Sequence, residues 1–154
     1  MLGILVRLHK IEVAKRQLDT AITLFLTDGE PCSIITLAAA SEEVLGNYVD
    51  GEWVPENPNN MFNRMFEAAK VRGLPFKSKK EFSQNLVNIT KNALKHANQP
   101  DEQFVSVDPE ETVVRLLHAV ANYQLGSGKP FTEPMNRFEA WLRAERPEYL
   151  AAKG

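Results

Sequence analysis

Apolar residues recur along this chain at spacings of three and four, and each run is bounded by a recognisable start or stop. From Lys10 to Thr27 the repeating set is Ile11, Ala14, Leu18, Ala21, Ile22 and Phe25, and Asp28-Gly29 supplies a stop. Pro31, suited to a first helical turn, opens a second helix to about Tyr48, with Ile34, Ala38, Ser41, Leu45 and Tyr48 in one row. Its reverse side carries Cys32, Thr36, Ala39 and Glu43. Small residues there let another helix approach, which predicts burial on two sides with Glu43 near protein; the alternative is a solvated Glu43 on the last turns.

Gly46 to Asn60, with Pro55, Pro58, Gly51 and several Asn, reads as a loop in which Trp53 folds back as an anchor. A shorter helix follows, striped by Met61, Phe62, Met65, Phe66 and Ala69 and closed by Arg72-Gly73-Leu74-Pro75. Ser78 with Glu81 forms a capping box that opens a helix to His96. Phe82, Leu86, Ile89, Ala93 and His96 lie near one face of that helix, predicted as buried, with Asn85 and Asn92 on its edge. Asn98-Gln99-Pro100-Asp101 breaks it, and Phe104 to Val107 alternates like a short strand or extended arm. Asp108-Pro109-Glu110-Glu111 starts a helix with Val113, Leu116, Leu117, Val120 and Tyr123 inward, ended by Gly126, Gly128 and Pro130. Thr132 caps a last helix, with Met135, Phe138, Trp141 and Leu142 inward, which Pro147 ends. The expected fold is an all-α bundle of five to six helices, forming a single domain over residues 1–154.

Composition narrows the functional classes. At 154 residues, 44% hydrophobic and 25% charged, the chain has the profile of a soluble globular domain. A net charge of −2 supplies no global basic field, so any nucleic-acid contact must be local. The single cysteine, Cys32, excludes a disulfide framework or a cysteine metal cluster, suits a cytoplasmic location and is expected as a small buried hydrophobe. The apolar start at Met1 to Val6 is too short for a secretion signal, and no run is long enough to span a membrane. No paired His, Glu-x-x-His, Gly-x-Ser-x-Gly or phosphate-cradling Gly-rich loop occurs, which argues against metal, hydrolase-triad and P-loop chemistry, and no metal or other cofactor is expected.

Among the three histidines, His118 shares a polar helix side with Glu111, Arg115 and Asn122 and reads as solvated, and His9 projects away from the row that begins at Ile11. Only His96 approaches an apolar face, where a polar group must be paired or be kept for chemistry. Lys77, Lys79 and Lys80 read as a solvated cluster, with phosphate contact as the alternative.

Lys91-Asn92-Ala93-Leu94-Lys95-His96 resembles the motif of HEPN (higher eukaryotes and prokaryotes nucleotide-binding) domains, where Arg, usually followed by a polar residue such as Asn, precedes His by four to six residues. The whole chain is similar to small uncharacterised bacterial proteins built on that fold. The resemblance implies a helical bundle, often a homodimer with two motifs facing each other, and either metal-independent RNA cleavage or noncatalytic binding of nucleotide or RNA. It implies a site with His96 as general acid or base, Asn92 orienting it and Lys91 or Lys95 meeting phosphate, with Glu43 and Asn85 in support. Lys91 stands where the family has Arg and lacks the planar fork suited to phosphate, and helical phase sets it opposite the Phe82 to His96 seam. The other reading is a noncatalytic regulatory module with a protein partner, in which His96 and the Asn residues satisfy one another in the core.

Overall fold

The computed structural model describes residues 3–96 and 103–151. The first helix, α1 (Lys10–Leu26), is capped by His9, whose Nδ1 accepts from the Ile11 amide at 3.1 Å, so His9 has a structural role that its phase alone did not indicate. The helix closes where the Gly29 amide donates to the Leu24 carbonyl at 2.6 Å, an approach that leaves no room for a Cβ. Glu30 then caps α2 (Pro31–Leu45): its carboxylate accepts from the amides of Cys32 and Ser33, both at 2.7 Å, and these bonds pull its carboxyl down to about 2. The helix stops at Leu45, before the expected Tyr48.

The segment after α2 is more than a loop. β1 (Tyr48–Val49) and β2 (Glu52–Trp53) pair antiparallel across Asp50-Gly51, both at positive φ, the conformation an Asp-Gly hairpin turn requires. Trp53 is exposed and anchors nothing. The anchor is Asn57, buried, whose side-chain amide donates to the carbonyls of Gly46 at 3.0 Å and Tyr48 at 3.3 Å.

Asn60 caps α3 (Met61–Val71), which ends before Gly73 in a left-handed conformation. The Ser78 hydroxyl accepts from the Glu81 amide at 3.2 Å and opens α4 (Lys79–Phe82); the Glu81 carboxylate reaches back to the Lys77 amide, one residue earlier than a capping box. A π-helical segment (Ser83–Val87) and α5 (Ile89–Lys95) follow. Lys77, Lys79 and Lys80 are exposed, and the break expected at Asn98 to Asp101 lies outside the described residues. Phe104 to Val107 forms no strand and runs as an arm, exposed from Phe104 to Ser106 and half-buried at Val107. Asp108 caps α6 (Pro109–Ser127), Thr132 caps α7 (Glu133–Glu145), and a single turn, α8 (Glu148–Ala151), follows Pro147.

α1, α2, α6 and α7 enclose the main core, built on Leu18, Ile22, Ile34, Leu45, Leu116, Tyr123, Met135 and Phe138. A smaller core joins α3 to α4, where the rings of Phe62, Phe66 and Phe76 lie 5.7, 5.5 and 5.2 Å from that of Phe82. The fold is thus helical apart from one two-stranded hairpin among the described residues. No helix among them is long and apolar enough to cross a membrane.

Candidate functional site

The stretch from Ser78 to His96 does not form one helix, and the interruption decides which residues face the protein. In the π segment the Asn88 amide donates to the Ser83 carbonyl at 2.8 Å, a five-residue step, and Asn88 leaves helical geometry before α5 begins. One extra residue rotates everything after it by about 100°. The face expected at Ile89, Ala93 and His96 is therefore exposed, and the half-buried positions are Thr90, Lys91, Asn92 and Leu94. His96 is the exposed C-terminal cap of α5 rather than a member of a buried seam. Asn85 is also exposed, and the side chain of Leu86 lies outside the described residues.

The π segment is held open by Arg115, a member of the polar row of α6. Arg115 is 3% exposed, and its Nη1 donates to Glu42 Oε2 at 3.0 Å. Its Nη2 donates to the Val87 carbonyl and, at 3.1 Å, to Asn88 Oδ1, while Nε lies 3.8 Å from Glu111. Asn88 in turn donates to the Ser83 hydroxyl at 2.6 Å. One guanidinium thus ties α2, the π segment and α6 together, using the fixed fork that Lys lacks. Asn122, one further polar residue of that row, is buried; it donates to the Glu42 carbonyl at 3.0 Å and accepts from the Met61 amide at 3.0 Å.

Beside this network lies a cleft of about 310 Å³, lined by Glu42, Glu43, Asn60, Asn88, Lys91 and Arg115 among others. Lys91 enters it from α5 and its Nζ donates to Glu43 Oε2 at 2.8 Å. The two partners are unequal: the Lys91 side chain is 13% exposed and that of Glu43 64%. Glu43 therefore meets water as well as protein, and the bond from Lys91 holds its carboxyl below the usual range, with a further contribution from Lys95. The structure thus brings Lys91 and Glu43 together, leaves Asn92 half-buried, and leaves Lys95, His96 and Asn85 exposed.

The histidine that does approach the interior is His118. Its side chain is almost buried, its Nδ1 has no hydrogen-bond partner, and Glu42 Oε1 stands 3.7 Å away. Burial pushes its imidazole below the ordinary range, against the pull of the Glu42 charge. His118 and Glu111 also line a second cleft of about 470 Å³, walled by Met65, Phe82, Val87, Ile89 and Val114. No group of three His, Cys, Asp or Glu among the described residues is arranged to hold a metal ion.

Glu42, Arg115, His118 and Asn122 were thus missed as an interior cluster, although a signal existed. Ile35, Ala39, Glu42 and Gly46 step by four, three and four along α2, and Glu111, Arg115, His118 and Asn122 take the same steps along α6. Glu42 in the first row and Arg115 in the second carry opposite charge, and neither has to be solvated if the two helices meet. The chain matches no protein-family model, no curated protein and no solved structure.

Proposed function

We propose that this chain is a HEPN-like helical module that binds RNA or a nucleotide without cleaving it. The observation that carries the reading is the placement of the Lys91 to His96 segment. α5 sets Lys91 into a cleft of amides and ion pairs while Lys95 and His96 stand exposed on the next turn. A cleft near 310 Å³ lies at the small end of the range for small-molecule sites, about 300–1,000 Å³, and so suits one nucleotide unit. Two cations one turn apart can meet one phosphate. The noncatalytic part rests on the histidines: His96 lines neither cleft, and Nδ1 of His118 has no hydrogen-bond partner to fix it as an acid or base.

The test is fluorescence anisotropy of a labelled oligoribonucleotide titrated at low salt, with gel analysis of the RNA afterwards. Saturable, salt-dependent binding, weakened by Lys91→Ala and by Lys95→Ala with the slope against salt reduced by about one each, supports the reading. No binding at low salt overturns it, and RNA cleavage that His96→Ala abolishes overturns the noncatalytic part.

A specific observation favours a second reading, a protein-interaction module that pairs with itself. Ile4, Leu5 and Phe104 are almost fully exposed, and Val6 is largely so. Ile4, Leu5 and Val6 are consecutive, and a contiguous exposed apolar run marks an association surface. A homodimer in sedimentation equilibrium at micromolar concentration, lost on Leu5→Ser with Phe104→Ser, supports this reading; a monomer throughout counts against it.

A further inference from the structure

We infer that Glu43 occupies the position on Lys91 that a ligand phosphate takes, so that the contact between α2 and α5 is an internal competitor of nucleotide or RNA binding. The inference rests on the reading above and adds a regulatory device to it. Lys91 Nζ lies 2.8 Å from Glu43 Oε2 and, with 13% of its side chain exposed, is held in the cleft. Glu43 is 64% exposed and stays hydrated when it leaves, so the carboxylate is the exchangeable partner. The neighbouring pair is not exchangeable in this way. Arg115 and Glu42 are both buried, and the same guanidinium also holds Val87 and Asn88.

Glu43 is a bound anion on Lys91. Lys91 donates to its carboxylate, and the charge of Lys95, one turn further along α5 and beyond ion-pair distance, adds a smaller pull. A phosphate in place of that carboxylate meets the Lys91 ammonium with more charge and more acceptor oxygens, in the field of the Lys95 charge. Around this position Asn60, Ser83 and Asn88 line the cleft with neutral polar side chains.

The experiment compares wild type, Glu43→Gln and Lys91→Met, each verified as folded by its thermal melt, with three probes: inorganic phosphate, a nucleoside 5′-monophosphate and a short oligoribonucleotide. Glu43→Gln is expected to bind the phosphorylated probes about 2–5-fold more tightly than wild type, the range an exchangeable surface ion pair represents, and Lys91→Met more weakly. Tighter binding of the monophosphate as well as the oligonucleotide assigns the subsite to a single nucleotide; an effect on the oligonucleotide alone assigns it to an RNA backbone. A second readout is the Glu43 carboxyl itself, followed by NMR titration, which is expected to rise toward its ordinary range when wild type is saturated with ligand. Weaker or unchanged binding by Glu43→Gln, with Lys91→Met still impaired, overturns the competition and leaves the binding reading standing. Absence of binding by every variant overturns both.

Discussion

Arg115 and Glu42, 73 residues apart in sequence, meet at 3.0 Å in the interior of the contact between α2 and α6. A buried pair of this kind adds little net stability over well-packed apolar groups, yet removing one member strands the other without solvent. Arg115→Leu and Glu42→Leu are each expected to cost about 3–5 kcal/mol. The double variant is expected to cost less than the sum of the two, because neither charge is then left alone. Urea unfolding of the four proteins measures this, and strict additivity would show that the pair is not coupled.

His118 predicts a loss of stability toward acid. Its folded-state pKa is lowered from 6.5, chiefly by burial, so the unfolded chain takes up this proton first. The stability associated with the neutral ring is fully present above about 6.5 and declines as the pH falls from there through the lowered folded value. Glu43 behaves in the same direction at lower pH, since its lowered carboxyl contributes above 4.5 and ceases to contribute as the pH falls through its folded value. Thermal melts between pH 7 and 5 are expected to show a decline that His118→Gln reduces, and an unchanged decline in that variant would refute the assignment.

Gly126 lies inside α6 where the start of the hairpin crosses it. A Cβ there would stand 2.6 Å from the Leu45 carbonyl, and the Gly126 carbonyl accepts from the Gly51 amide at 2.7 Å. Neither contact involves a flexible side chain that could yield. Gly126→Ala is expected to cost about 1–3 kcal/mol through overpacking, despite the better helix propensity of alanine. A variant as stable as wild type in chemical unfolding would argue that the hairpin is not seated on α6.

His96, by contrast, is expected to matter little for folding. As an exposed helix cap it leaves no buried gap when truncated, so His96→Ala should change stability by no more than about 0.5 kcal/mol. Differential scanning calorimetry checks this, and a loss of several kcal/mol would place the ring in a packed environment.

Local chemistry made much of the chain legible from sequence. Helices appear where apolar spacing, Pro31, Asp108-Pro109 and Thr132 indicate them, and Ile22, Leu45, Leu116 and Phe138 lie in the core as their rows require. Those features act within one or two turns, so the residues concerned are neighbours in sequence. Propensity also hid things at short range: Asp50-Gly51 carries a hairpin signal that a Pro- and Asn-rich surrounding masked, and Asn57 took the anchoring role expected of Trp53.

Only the tertiary structure decided the candidate site. The phase of α5 depends on the one extra residue of the π segment, and that irregularity is held by Arg115 from a helix that begins more than twenty residues later. Helical spacing assumes an uninterrupted ladder, so it placed His96 inside and Lys91 opposite the buried seam; the ladder breaks at Asn88, and the order is reversed. A polar row read in isolation is a solvated face because water is its cheapest partner. Glu42 of α2 and Arg115 of α6 are interior because each supplies the other's counter-charge, a complementarity that appears only when the two helices lie side by side.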